Sequence, residues 1–323
     1  MAKRNELLDA VRANWSGNRQ LDGKFVNIHR KPPAIKSIAK WDVSFNKERS
    51  TINFGKSWQP KTVPFKGVSQ MPRNSFVWLG HNSFIINVAG VVIVLDPVFG
   101  DIPFVKRKSK LPIEPENISD IDLLLLSHDH YDHADKKSVK TLSLANNHMN
   151  IISGLGVGEL VRSWVPFIKV TEMGWYQIYE HNGVKIVFLP CQHYGKRSVN
   201  DSAKRLWGAF LIECDDFKIY YSGDTSYAGH FAEVKELFGD IDYAFMGIGA
   251  YKPRWFLERN HMSPIEAVVG AVDMGAKCVI PMHYGTFKLS REPIFDPPLV
   301  FRGEALLKGI DFKIPNIGQI VDL

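Results

Sequence analysis

Three histidines and a carboxylate stand at His-x-His-x-Asp-His spacing in the stretch Ser127-His128-Asp129-His130-Tyr131-Asp132-His133. Imidazole nitrogen and carboxylate oxygen are ligands for zinc, and manganese or iron is not excluded by them. In a tight turn after a strand, alternate residues point the same way, so His128 and His130 can serve one ion. Asp132 and His133, further round the turn, can serve a second ion beside it. Other apolar runs lead into residues of the same kind. Leu123–Leu126 leads to His128 and His130, Val184–Leu189 to His193, Phe217–Tyr221 to Asp224, and Cys278–Met282 to His283. Strands of a common core can bring such ends to one rim, where loops on a rigid scaffold carry function.

The coordination expected from these residues is simple. Ion one takes His128, His130 and His193; ion two takes Asp132, His133 and His283; Asp224 bridges them with its two oxygens. Each ion keeps an open position, the mark of a catalytic site. Two ions roughly 3.5–4 Å apart lower the pKa of a shared water and clamp the oxygens of an in-line displacement. Asp96 ends the run Val91–Leu95. It reads either as an acceptor for a ligand imidazole or as a turn former before Pro97. His81 after Gly80 is open between the same kinds of role. His29, His148, His181 and His230 have no comparable context and read as structural or surface residues.

The elements that must position this set are short. Phe76–Leu79, Phe84–Val88 and Val91–Leu95 are β-rich runs broken by Gly80 and Gly90, with Gly90 placed as a hairpin turn. Further strands are expected at Leu123–Leu126, Val184–Leu189, Trp207–Cys214, Phe217–Tyr221, Tyr243–Ile248 and Cys278–Met282, with Asp215-Asp216 as a tight turn. A helix is expected from Asp135 to Ala145, and another with Phe231, Val234 and Phe238 on one face. Ser263-Pro264-Ile265-Glu266 reads as an N-cap, a first-turn proline and a capping box. Ile265, Val268, Val269 and Val272 would be the buried stripe, and Gly275 the stop.

The chain has 323 residues and a formal net charge of +6. That charge is uneven, since residues 1–75 hold 15 Lys+Arg against 5 Asp+Glu. Residues 1–74 therefore read as a basic, aromatic-containing extension, and 75–323 as the main domain. Trp15, Trp41, Phe45, Phe54, Trp58 and Phe65 make the extension too aromatic for a disordered tail. It reads as an arm over the domain or as an exposed apolar lip. Its charge fits peripheral contact with an anionic membrane, or plain solubility. Three cysteines without paired spacing argue against disulfides or a cysteine zinc site. No signal-peptide pattern or long apolar run is seen, so a cytoplasmic location is expected.

The His-x-His-x-Asp-His motif with His193, Asp224 and His283 resembles the metallo-β-lactamase superfamily. Within it, the chain is similar to the branch of phospholipases D that hydrolyse N-acylphosphatidylethanolamine. The shared segments include Trp78-Leu79-Gly80-His81, Asp96-Pro97, Leu206-Trp207-Gly208 and Gly223-Asp224-Thr225. Ile248-Gly249-Ala250-Tyr251, Pro253-Arg254-Trp255-Phe256 and His283-Tyr284-Gly285-Thr286-Phe287 continue the likeness. Tyr194 and Tyr284 stand where the phospholipase has tryptophan.

The resemblance implies an α/β fold, a four-layer αβ/βα sandwich, and two zinc ions bound as set out above. It implies that His261 acts on the substrate phosphate, with Tyr251 and Arg254 as further substrate contacts. Arg254 equally fits a surface salt bridge. The activity implied is a phosphodiesterase of phospholipase D type, with Asp132 and Asp224 orienting the water and moving its proton. The products would be phosphatidic acid and an N-acylethanolamine. Another ester, such as a lactone, could use the same site. No nucleic-acid partner is expected, because the main domain lacks an aromatic-interleaved basic groove. A non-catalytic membrane-binding protein, working through its basic arm, is the reading from another class.

Overall fold

The computed structural model describes residues 2–29, 59–214 and 217–323. The chain opens with a small antiparallel sheet of β1 (Ala2–Lys3), β2 (Asn18–Leu21) and β3 (Lys24–Phe25). The first half of the main domain adds β4 (Ser75–Gly80), β5 (Ser83–Val88), β6 (Val91–Leu95), β7 (Leu123–Leu126), β8 (Asn150–Gly154) and β9 (Lys169–Met173). The second half supplies β10 (Ile178–His181), β11 (Val184–Leu189), β12 (Ala209–Glu213), β13 (Lys218–Tyr221), β14 (Ile241–Gly247), β15 (Ala276–Met282) and β16 (Asp311–Phe312). The closing strand β17 (Ile320–Asp322) returns to pair with β4. Two seven-stranded sheets result, ordered β17-β4-β5-β6-β7-β8-β9 and β10-β11-β12-β13-β14-β15-β16.

Runs such as Val91–Leu95 and Leu123–Leu126 carry no polar alternation because both sheet faces are covered. Leu123 and Leu125 point into the core shared with the second sheet. Leu124 and Leu126 point outward to the helices Lys136–Ala145 and Val157–Trp164, through Val139, Leu142, Val157 and Val161. The second sheet is covered by His230–Phe238, Pro264–Asp273 and Asp296–Lys308, which contribute Phe231, Val268 and Phe301. Helix, sheet, sheet, helix is the expected four-layer sandwich.

The helix at 264 begins as its sequence predicts. The Ser263 hydroxyl accepts from Glu266 N, and the Glu266 carboxylate accepts from Ser263 N. Its buried stripe differs from the expectation. Ala267 and Ala271 are buried with Ile265 and Val268, while Val272 is 45% exposed. The small alanine side chains face the sheet and the branched valine is turned out. Gly90 does sit in the β5–β6 hairpin, at φ 96°. The strands β8 to β10 and the helices Val157–Trp164 and Asp296–Lys308 had no expectation; Lys169-Val-Thr-Glu-Met173 is too polar to read as a strand by pattern. The Asp215-Asp216 turn and the extension's Trp41, Phe45, Phe54 and Trp58 lie outside the described residues.

Strand direction explains why distant segments meet. The neighbours β6, β7, β8 and β9 are parallel, as are β13, β14 and β15. Strand β12 lies between β11 and β13 and is antiparallel to both, so β11 runs the same way as β13. Residues following β6, β7, β11, β13, β14 and β15 therefore emerge at one rim. The β4–β5 turn joins them, because β5 is antiparallel to β6.

The described part of the extension packs on the body. Phe65 is buried, and Trp15 meets Tyr176 edge-on at 4.7 Å. Gln177 Nε2 donates to the carbonyls of Asn5 and Leu8 at 2.6 and 3.0 Å. Glu233 on the His230–Phe238 helix accepts from His29 Nε2 at 2.7 Å, from Tyr176 hydroxyl at 2.8 Å, and from Arg12. Burial opposes charge on Glu233, yet its hydrogen bonds from His29 and Tyr176 hold its pKa below the ordinary value. A carboxylate depressed by folding adds stability above its unfolded pKa and loses it as pH falls through the folded pKa. Amide protection across residues 2–29, taken relative to the intrinsic exchange rate at each pH, should therefore be high at about pH 7 and fall as the solution is taken below the usual glutamate range. Glu233→Gln should mimic the acid effect at neutral pH, costing about 1–3 kcal/mol of local stability. Protection in Glu233→Gln that stays high at both pH values would place the anchor elsewhere.

Candidate metal centre

The loop after β7 folds back at once: His133 N and Ala134 N both donate to the His130 carbonyl, at 3.1 and 2.8 Å. Asp135 then caps the following helix by accepting from Ser138 N at 2.8 Å. The entry to the loop is tied to Asp96, which accepts from Ser127 N at 2.8 Å and Ser127 hydroxyl at 2.5 Å. Its far side is held by Arg197, which donates to the carbonyls of Asp129 and Ala134 at 2.8 and 2.6 Å. Arg205 pairs with the buried Asp129 at 2.7 Å. Arg197 and Arg205 were not singled out by pattern; a buried charge inside the motif, Asp129, was the available signal for a basic partner.

Two side-chain groups face each other across this rim. His128, His130, His193 and Asp224 offer ligand atoms that all lie within 4.8 Å of one another, as do His81, Asp132, His133 and His283. His128 Nε2 is 2.9 Å from His130 Nδ1, which is 3.2 Å from His193 Nε2. Asp224 stands between the groups. Its Oδ2 is 3.7 Å from His193 Nε2, 3.9 Å from His128 Nε2 and 3.2 Å from His133 Nε2. Its Oδ1 is 3.2 Å from His283 Nε2. His261 closes the third side, with Nδ1 3.7 Å from Asp224 Oδ2.

The donor set fits divalent cations. Ligand atoms on a tetrahedral zinc stand about 3.3 Å apart, the spacing set by ~2.05 Å bonds. The separations above bracket that value. Among the described residues, Nε2 of the buried His283 lacks a hydrogen-bond partner, as expected of an imidazole nitrogen aimed at a cation. Burial, reinforced by neighbouring imidazoles, holds His128 well below the ordinary histidine pKa. Burial does the same to His193 against the pull of Asp224. Such rings are neutral with a free lone pair, the form that binds metal. Burial also opposes charge on Asp132 and Asp224, but the facing imidazoles keep both carboxylates well below their usual range. His283 is the converse: burial disfavours its charge, Asp224 and Asp132 outweigh that, and its pKa is lifted to about 9.

Asp96 lies behind the centre, fully buried. It accepts from His133 Nδ1 at 2.7 Å and Tyr221 hydroxyl at 2.8 Å. That contact orients a ring whose other nitrogen faces Asp224.

The expected substrate contacts are placed differently. Arg254 spends its guanidinium on Glu266, at 2.9 and 2.7 Å, and on the His261 carbonyl at 3.0 Å. It is the salt-bridge alternative, and it braces the His261 loop. The Tyr251 hydroxyl donates to the buried Asp296, which turns it away from the role of a free substrate contact. His261 is itself buried enough that its pKa is lowered to about 4, against the pull of Asp224. His29, read as structural, is an arm anchor on Glu233. His230 is buried, with Nε2 3.2 Å from Thr225 hydroxyl.

Comparison with known proteins agrees with this architecture. Residues 92–284 match the beta-lactamase superfamily domain. The chain belongs to the metallo-β-lactamase superfamily. It is a metal-dependent hydrolase of that superfamily. It is 32% identical over 263 residues to N-acyl-phosphatidylethanolamine-hydrolyzing phospholipase D 1 of Caenorhabditis elegans, covering 75% of this chain and 74% of that one. Among solved structures, the Ignicoccus hospitalis metallo hydrolase Igni18 shares the fold with a TM-score of 0.57 at 19% identity, over 76% of this chain and 97% of that one. A possible metal-dependent hydrolase from Veillonella parvula gives 0.64 at 16% identity, over 78% of this chain and all (100%) of that one. In this superfamily member the segment after β14 carries an exposed apolar feature on the element whose Arg254 braces His261. Its single-turn helix Arg254–Leu257 exposes Trp255 by 77% and Phe256 by 63%.

Proposed function

We propose that the protein is a binuclear zinc phosphodiesterase of phospholipase D type, acting on N-acylated phosphatidylethanolamines. The observation that carries the metal-pair reading is the position of Asp224, whose two oxygens face the imidazoles of both groups. His128, His130 and His193 would hold one zinc with Asp224, and Asp132, His133 and His283 the other. When bound, the ions supply Lewis acidity and an activated water. The lipid reading draws on the nematode relative's name and on the bare Trp255 and Phe256 beside the rim.

The residues then divide the work. Asp132 and Asp224 orient the attacking water and accept its proton. The water oxygen bonds to phosphorus, the bond to the ethanolamine oxygen breaks, and that oxygen leaves with a proton. His261, neutral at pH 7, donates a hydrogen bond to a phosphoryl oxygen as charge builds on it. Arg254 holds the His261 carbonyl and so the ring's approach. Trp255 and Phe256 offer acyl chains a contact at the entrance and make peripheral contact with an anionic membrane part of the same reading. Among the described residues no helix is long and apolar enough to cross a membrane.

The test is turnover of a panel: a chromogenic phosphodiester, N-acylphosphatidylethanolamine vesicles, phosphatidylcholine vesicles and a lactone. The expected result is release of N-acylethanolamine that falls at least ~100-fold on chelation and returns with zinc. Lactone cleavage without any phosphodiester turnover would move the assignment to another ester. Turnover that survives chelation would end the metal reading.

A further inference from the structure

The turn Gly80-His81-Asn82 is built with more care than a hairpin needs. Both Gly80 and His81 sit at positive φ, 101° and 53°. A side chain at position 80 would lie 2.6 Å from the Arg107 guanidinium and 2.9 Å from Thr286 hydroxyl, so only glycine fits. Arg107 donates to the Leu79 carbonyl at 2.6 Å. His81 N donates to Thr286 hydroxyl at 2.8 Å. The His81 carbonyl accepts from Trp78 Nε1 at 2.9 Å and from His283 N at 3.3 Å. A non-glycine residue in the left-handed region is uncommon, and one held there by several contacts is a pointer to function.

What this turn achieves is the aim of one ring. His81 is buried, with its imidazole 4.3 Å from the His283 ring and edge-on to Phe287 at 5.0 Å. Its Nε2 lies 3.2 Å from Asp132 Oδ2, closer than His283 Nε2 at 3.6 Å. Its Nδ1 is buried and has no hydrogen-bond partner among the described residues. A neutral ring with its proton on Nε2 accounts for both facts: it donates to Asp132 and leaves only an unpaired acceptor behind.

We propose that His81 is the positioning residue for Asp132. It holds Asp132 Oδ2, the oxygen that also faces His283 Nε2, by hydrogen bonding and so fixes the carboxylate beside the second group. This rests on the metal-pair reading above and adds to it a group outside the proposed ligands. It also assigns a reason for the strained β4–β5 turn, which ties Asp132 from one sheet's loop to the His283 loop of the other sheet.

The test compares His81→Asn with His81→Gln in the full-length apo-protein, titrated with zinc against a chromophoric chelator. Asparagine tolerates positive φ, so the turn survives, but its amide stops short of Asp132. Glutamine reaches. His81→Asn should weaken one of the two zinc sites by about 10–100-fold and leave the other as in the unaltered protein. His81→Gln should recover most of the loss. In an Asp132→Asn background, His81→Asn should cause no further loss, because the group it positions is gone. His81→Ala replaces His81→Asn if the latter does not fold, judged by apo-protein melting. Equal zinc affinity in His81→Asn and the unaltered protein overturns the proposal. So does a His81→Gln as weak as His81→Asn, which would make His81 a direct ligand. An unaltered protein that binds fewer than two ions removes the metal-pair reading and this proposal with it.

Discussion

Replacing Asp224 by alanine is expected to empty both metal positions together. The carboxylate faces His133 and His283 at 3.2 Å and lies within 3.9 Å of His128 and His193. Asp132 contacts His81 and His283 at 3.2 and 3.6 Å. Without Asp224, buried imidazoles would face two cations with a single anion among them, and the cost of burying that charge unpaired is high. Zinc content should fall from two ions per chain to below one. Phosphodiester kcat/KM should fall at least ~10³-fold, equivalent to about 4 kcal/mol of transition-state stabilisation. His128→Ala should be milder at the second position, because His128 is a proposed ligand of the first ion and meets the second group by ring contact with His133, at 4.1 Å. Atomic emission on the purified variants, read beside their kinetics, checks this. Asp224→Ala protein that retains two ions would show that the groups are filled independently.

His261→Ala should separate chemistry from metal binding. The ring stands 3.7 Å from Asp224 and is partly exposed, and Arg254, next to the exposed Trp255 and Phe256, holds the His261 carbonyl. As a donor to developing phosphoryl charge it should be worth ~10²–10³ in kcat, with KM and zinc content close to the unaltered values. Arg254→Ala should show a different pattern. It frees the His261 carbonyl and strips the buried Glu266 of its bidentate partner. Thermal stability should drop with activity, and kcat should fall less than in His261→Ala. A His261→Ala enzyme that loses zinc instead of kcat would recast His261 as a ligand, in line with its proximity to Asp224 and His283.

The contrast between Arg254 and His128 shows what a sequence can carry. Three histidines and an aspartate within six positions of one turn leave few geometries in which they do not meet. Such a motif is legible because its spacing and its folding are both local. Arg254 carries no such constraint. Its partner Glu266 is twelve residues away on the next helix, inside a capping box that explained that glutamate by itself. The pattern accounted for the cap and hid the salt bridge. Tyr251 is similar, since its acceptor Asp296 begins a helix that periodicity did not reveal.

By itself, the sequence determined the kind of donors, their place at strand ends, and the strands and caps whose signals are short-range. Only the tertiary structure decided that those ends share a rim. That depends on the parallel order of β6–β9 and β13–β15, a pairing between segments dozens of residues apart that local propensity does not encode. The tertiary structure also decided which polar groups behind the rim are engaged. Asp96 became the acceptor for His133, Arg254 the brace for His261, and His81 the neighbour of Asp132. Each of these depends on which buried atom lies within about 3 Å, a distance set by packing and not by spacing along the chain.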